Sequence, residues 1–159
     1  MPDLIPECWK KFLDELYKDA EEALKNGQVI SPTLFALHGG KLRMLDLDPL
    51  IEKRGKEAVP FLMEKLIEED SIEVVIFVSE MWMLELPMKG TSREEALSIT
   101  PSEHPDRTEG VLFNVLTKTN QYIAKATICR NPVKLYDLEV LPTQGMEGKM
   151  VHQHRPVVH

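Results

Sequence analysis

Apolar residues recur at spacings of three and four along the first stretch of the chain. Ile5, Cys8, Trp9, Phe12, Leu16, Tyr17, Ala20, Ala23 and Leu24 form one continuous stripe, which predicts an amphipathic helix from Ile5 to Lys25. Pro6 suits its first turn, and Asn26-Gly27 supplies the residue that ends it in a left-handed conformation. The period then changes from helical to alternating. Val29 to Leu37 and Lys41 to Leu47 read as two strands of a hairpin, because Gly39-Gly40 can take the positive φ angles of a tight turn.

A second helical period follows. Ala58, Leu62 and Leu66 lie beside Val59, Met63 and Ile67 on one face, with Gly55 separating a short turn over 49–54 from a main helix that begins near Lys56. Pro60 is expected to remove one hydrogen bond and bend that helix. Glu68-Glu69-Asp70 at its end opposes the helix dipole. Asp46-Leu47-Asp48 places two carboxylates on one strand face, and Asp48 is expected to cap the segment that Pro49 opens.

The most apolar run, Ile72 to Leu86, carries Val74, Ile76 and Val78 on one side and Val75, Phe77 and Met81 on the other. A strand apolar on both faces is central and covered on both sides. Its length predicts a bulge or bend near Ser79-Glu80. The long connection from Met88 to Glu109 holds overlapping capping boxes, Thr91-x-x-Glu94 and Ser92-x-x-Glu95, so a short helix is predicted to Ser98. Pro101 and Pro105 argue against regular structure after it. Strands are then predicted over Val111–Thr117, Gln121–Arg130 and, as a half-exposed edge, Lys134–Leu141.

These elements define an α+β protein with a central, mostly antiparallel sheet of five to six strands and two main helices. The order looks like the profilin-like and roadblock-like architectures, an analogy that transfers no function. Residues 1–141 form the expected domain, and 142–159, with two glycines, two prolines and no helical period, are expected to be a flexible tail. At 159 residues and 43% hydrophobic content, the chain can build a core without disulfides. Two cysteines, Cys8 and Cys129, read as free buried thiols of a cytoplasmic protein. No signal segment or membrane span is expected. A net charge of −7 disfavours nucleic acid.

Candidate chemistry concentrates between Glu73 and Glu109. Glu80 interrupts the apolar face between Val78 and Trp82, and a buried carboxylate must be paired or hydrogen-bonded; Arg107 is the expected partner. His104-Pro105-Asp106-Arg107-x-Glu109 offers a base, carboxylates and a bidentate cation within six residues. Glu80, His104 and Asp106 could hold a divalent metal, with His104 and Asp106 weak metal candidates, and Arg107 could bind an anion. The structural alternative has prolines stiffening the loop and Arg107 clamping it to the sheet. Trp82 and Glu109 complete the candidate surface.

Pro105-Asp106 followed by Lys125 resembles the two-part signature of PD-(D/E)xK nucleases, but Ile123 stands where the second acid belongs. His152-x-His154 resembles the metal pair of JAMM-type metalloproteases without the companion Ser/Asp pattern. No Gly-x-Ser-x-Gly elbow, cysteine–base pair or nucleotide-binding glycine motif is present.

Ser79-Glu80-x-Trp82 followed by Pro101-Ser102-x-x-Pro105-Asp106-Arg107-x-Glu109 resembles small uncharacterised prokaryotic or phage-like cytosolic proteins. That resemblance implies no activity. The expectation is a non-enzymatic ligand- or protein-binding and assembly module, with no cofactor, forming a homodimer through the sheet. The alternative is a metal-assisted hydrolase using Glu80, His104 and Asp106.

Overall fold

A computed structural model describes residues 7–84 and 90–141; the expected tail and His152-x-His154 lie outside the described residues. The element order is helix α1 (Glu7–Lys25), strands β1 (Thr33–His38) and β2 (Lys41–Asp46), helices α2 (Asp48–Arg54) and α3 (Ala58–Ile67), strand β3 (Ile72–Met83), helix α4 (Arg93–Ser98), a 3-10 turn (Pro101–Glu103), then β4 (Thr108–Thr117), β5 (Gln121–Arg130) and β6 (Val133–Leu141). The strands form one six-stranded sheet in the order β2-β1-β3-β4-β5-β6, and every neighbouring pair is antiparallel. The fold is α+β, as the periodicities predict.

The two-sided apolar character of β3 is met by helices on both faces. Val74, Ile76 and Val78 join Val111, Phe113, Ala126 and Ile128 beneath Leu13, Leu16, Ala20 and Leu24 of α1. Val75 and Phe77 turn the other way, onto Val59 and Met63 of α3. Leu13, fully buried, widens the predicted stripe of α1 by one row. Glu21 fastens that helix to the sheet edge by accepting the Leu135 N–H at 2.8 Å.

Chain reversals follow the predicted chemistry where glycine sets them. Gly27 ends α1 at φ +76°, and Gln28 N–H reaches the Ala23 carbonyl at 2.9 Å, which closes the last turn. Gly39 and Gly40 at φ +53° and +74° close the β1–β2 hairpin.

Several expectations are corrected. β1 begins at Thr33 rather than Val29, because Pro32 has no N–H to give a ladder and the Ile30 N–H bonds a side chain. Asp46, not Asp48, organises the turn into α2, its Oδ1 accepting the Asp48 N–H at 3.0 Å. Pro60 costs no hydrogen bond: α3 starts at Ala58, so Pro60 lies in the first turn, where backbone N–H groups are unpaired in any case. The acidic end of α3 is offset by Lys118, whose Nζ donates to the carbonyls of Ile67 and Glu69 at 2.8 and 2.9 Å.

The bulge expected at Ser79-Glu80 is not there. β3 pairs with β4 without a break from Val74↔Thr117 to Met83↔Thr108, and the irregularity lies at the other end, opposite Leu37/His38. Gly110 lets the Met83 side chain of β3 and the Ala126 carbonyl of β5 approach the β4 backbone, since an added Cβ would stand 2.8 Å from Met83 Sδ and 2.9 Å from the Ala126 oxygen. Of the two overlapping boxes it is Ser92 that supplies the N-cap, its Oγ accepting the Glu95 N–H at 3.0 Å. Pro101 opens a single 3-10 turn rather than forbidding one, since its missing N–H falls at a position with no partner to lose.

The core account predicts that Leu13→Ala lowers unfolding free energy by ~2–5 kcal/mol. Leu97→Ala, on the exposed face of α4, should stay within ~0.5 kcal/mol. Urea denaturation of both variants checks the contrast.

Candidate functional site

Antiparallel register assembles the site. Trp82 of β3 stands directly opposite Glu109 of β4, and Glu80 opposite Val111, so these side chains share the sheet face that α1 covers further along. Arg130, the last residue of β5, reaches the same end of the sheet.

Glu80 is half-buried and fully engaged. Its Oε2 accepts the Ile30 backbone N–H at 2.7 Å, and its Oε1 lies 3.4 Å from Arg130 Nη2. The partner is Arg130, not Arg107 as the sequence suggests. Arg130 then makes the stronger contact with Glu109, Nε to Oε2 at 2.8 Å and Nη2 to Oε1 at 3.0 Å, a side-by-side bidentate pair. This hydrogen-bonded guanidinium, its charge and that of Arg107 hold the Glu109 carboxyl below the usual carboxylate range against the opposing effect of burial. Reciprocally, the bond to Glu109 pushes Arg130 further up.

Arg107 does something different. Its guanidinium lies over the Trp82 indole, 4.6 Å from the ring centroid, at the distance of a cation–π contact. Its Nη1 donates to the His104 carbonyl at 3.0 Å, and its backbone N–H reaches the same oxygen at 3.2 Å. Arg107 thereby clamps the loop onto β3 through Trp82. His104 shapes the turn: its Nδ1 accepts the Asp106 N–H at 3.1 Å, so that nitrogen carries no proton in this arrangement. Asp106 contributes its backbone there and is exposed.

The six residues singled out from the sequence therefore divide. Glu80, Glu109, Trp82 and Arg107 meet at one end of the sheet through Arg130 and the indole, whereas His104 and Asp106 bond each other within their own turn. Among the described residues, no group of three or more His, Cys, Asp or Glu is placed to hold a metal ion, so Glu80, His104 and Asp106 do not form a metal triad. Cys129 is a free, partly buried thiol.

Arg130 is the participant that the sequence reading missed. Its signal is a register signal: once β5 is set against β4 with Gly110 opposite Thr127, Arg130 falls beside the β4 entrance where Glu109 lies. No protein-family model, curated protein or solved structure matches the chain.

Glu109 gives the site a pH signature. Its folded pKa lies below its unfolded one, so its stabilisation is fully present above the unfolded pKa. The stabilisation is lost as pH falls through the lowered folded pKa. The stability gap between the wild type and Glu109→Gln, followed by urea unfolding, should be constant near neutrality and close on acidification through the carboxylate range. A gap that persists unchanged to the acid end would contradict the pairing.

Proposed function

We propose that the chain is a non-enzymatic binding and assembly module that recognises a protein partner through Trp82 and Arg107. The observation that carries this reading is Trp82, 43% exposed, with the Arg107 guanidinium over its ring at 4.6 Å. Tryptophan and arginine are the residue types that dominate binding energy at protein interfaces, and holding them in place lowers the ordering cost of association. The flanking acids support recognition rather than proton transfer, since both oxygens of Glu80 and both of Glu109 already hold hydrogen bonds.

Self-association of two copies through the sheet belongs to the same reading. So does a cytoplasmic location in a prokaryotic or phage-infected cell, supported by the resemblance carried by Ser79-Glu80-x-Trp82 and Pro101–Glu109. No helix among the described residues is long and apolar enough to cross a membrane.

The test compares proteins that co-purify quantitatively with the tagged full chain and with its variants. Trp82→Ala and Arg107→Ala should each lose the same set of co-purifying proteins, at least one of them rebinding the purified wild type, while the exposed control Leu97→Ala keeps them. Because Trp82 and Arg107 are exposed, both variants should remain folded by circular dichroism. Identical sets from wild type and both variants would overturn the reading.

A further inference from the structure

The two edges of the sheet are built differently. Among the described residues no strand lies beyond β2 or β6. At β6 the pairing with β5 slips between Lys125 and Thr127, Asp137 takes a left-handed φ of +54°, and Lys134, Asp137 and Glu139 place charge along the strand. Bulges, local twist and edge charge are the devices that keep an edge from pairing further.

β2 carries charge too, at Lys41, Arg43 and Asp46, but neither the slip in register nor the left-handed residue of β6 occurs there. It pairs with β1 in unbroken register from Thr33↔Asp46 to His38↔Lys41. The two-residue glycine turn makes His38 and Lys41 the bonded pair nearest the turn, so Lys41, Arg43 and Leu45 direct their backbone groups inward to β1. Leu42, Met44 and Asp46 direct theirs outward. On one face of this open ladder, Leu42 is 46% and Met44 63% exposed. Arg43, the charge at mid-strand, is turned back to His38, its Nη2 3.2 Å from the ring Nε2.

We propose that two copies of the chain pair antiparallel through the free edge of β2, about a two-fold axis at Met44, doubling the six-stranded sheet. A two-fold contact presents one strand to itself, and with the axis at Met44 no two like charges of β2 stand directly opposite each other. Outward-facing Met44 meets Met44 of the second copy, Leu42 meets Asp46 of the second copy, and Arg43 stands opposite Leu45 of the second copy. Shifting the axis to Arg43 would set two guanidiniums face to face, which is unfavourable.

The apolar surface beside the strand is continuous with this interface. A groove of about 530 Å³ runs between α1 and the outer strands, with Val29, Phe35, Leu42 and Met44 among its walls. Across the axis its floor continues onto the same residues of the second copy, so Leu42 and Met44 pass from an edge to the middle of a sheet face. This deepens the assembly part of the proposed function and rests on it only there, since the Trp82–Arg107 surface is not used.

Light scattering on the full chain should give twice the chain mass, and Met44→Lys, which sets two ammonium groups at the axis, should give the monomer with an unchanged circular dichroism spectrum. With Cys8 and Cys129 replaced by serine, Met44→Cys should form an interchain disulfide on mild oxidation, because bonded antiparallel partners have Cα atoms about 5.5 Å apart. Arg43→Cys should not, being offset from its own copy. A monomeric wild type overturns the proposal. So does a dimer that survives Met44→Lys and leaves Met44→Cys uncrosslinked, which would move the contact to another surface. Trp82→Ala should leave the mass unchanged, so failure of the recognition surface and failure of the edge are read separately.

Discussion

The carboxylate of Glu80 is the interaction on which the arrangement of this end of the molecule depends. It sits on β3, a strand whose apolar faces are packed by α1 on one side and α3 on the other, just where that burial gives way to solvent. A carboxylate there needs partners, because an unmade hydrogen bond at a partly desolvated group costs about 1–3 kcal/mol. It finds one in the Ile30 N–H and another in Arg130. The first fixes the segment leading from α1 into β1; the second holds the end of β5. Three parts of the chain distant in sequence are thereby tied at one side chain.

The rest of the site follows from what Glu80 leaves available. Arg130 is drawn between Glu80 and Glu109 and so is not the cation that meets Trp82. Arg107 takes that place and brings the Pro101–Arg107 loop against β3. The pair between Arg130 and Glu109 is a positioning contact more than a source of stability, since Arg130 is half exposed and exposed ion pairs contribute about 0.2–1 kcal/mol. Among the described residues, this end of the sheet then presents the Trp82 ring beneath the Arg107 guanidinium, the pair on which the proposed recognition rests.

The periodic parts of this architecture are readable from residue order because their causes are local. A three-and-four stripe buries one helix face, paired glycines permit the β1–β2 turn, and alternation with charge marks β6 as an edge. The misread features have causes that are not local. Arg130 is fifty residues from Glu80, and nothing near either residue announces the pairing; strand register does. The irregularity of β3 lies opposite Leu37/His38 rather than at Ser79 because neighbouring strands, not the length of β3, decide where pairing slips. Pro60 would be disruptive only in a helix that began two residues before Ala58. The separation of His104 and Asp106 from Glu80 comes from a turn that satisfies itself, which a count of metal-ligating residue types does not reveal.

Backbone hydrogen exchange at Ile30 tests the central role of Glu80 most directly. Ile30 precedes β1 and belongs to no strand, so without the carboxylate its amide has no structural reason to be slow. The account predicts that it is protected in the wild type and loses that protection in Glu80→Ala, while the amides of β4 that pair with Val74–Val78 keep theirs. An Ile30 amide that exchanges at the rate of unstructured chain in the wild type, or one equally protected in Glu80→Ala, would contradict it.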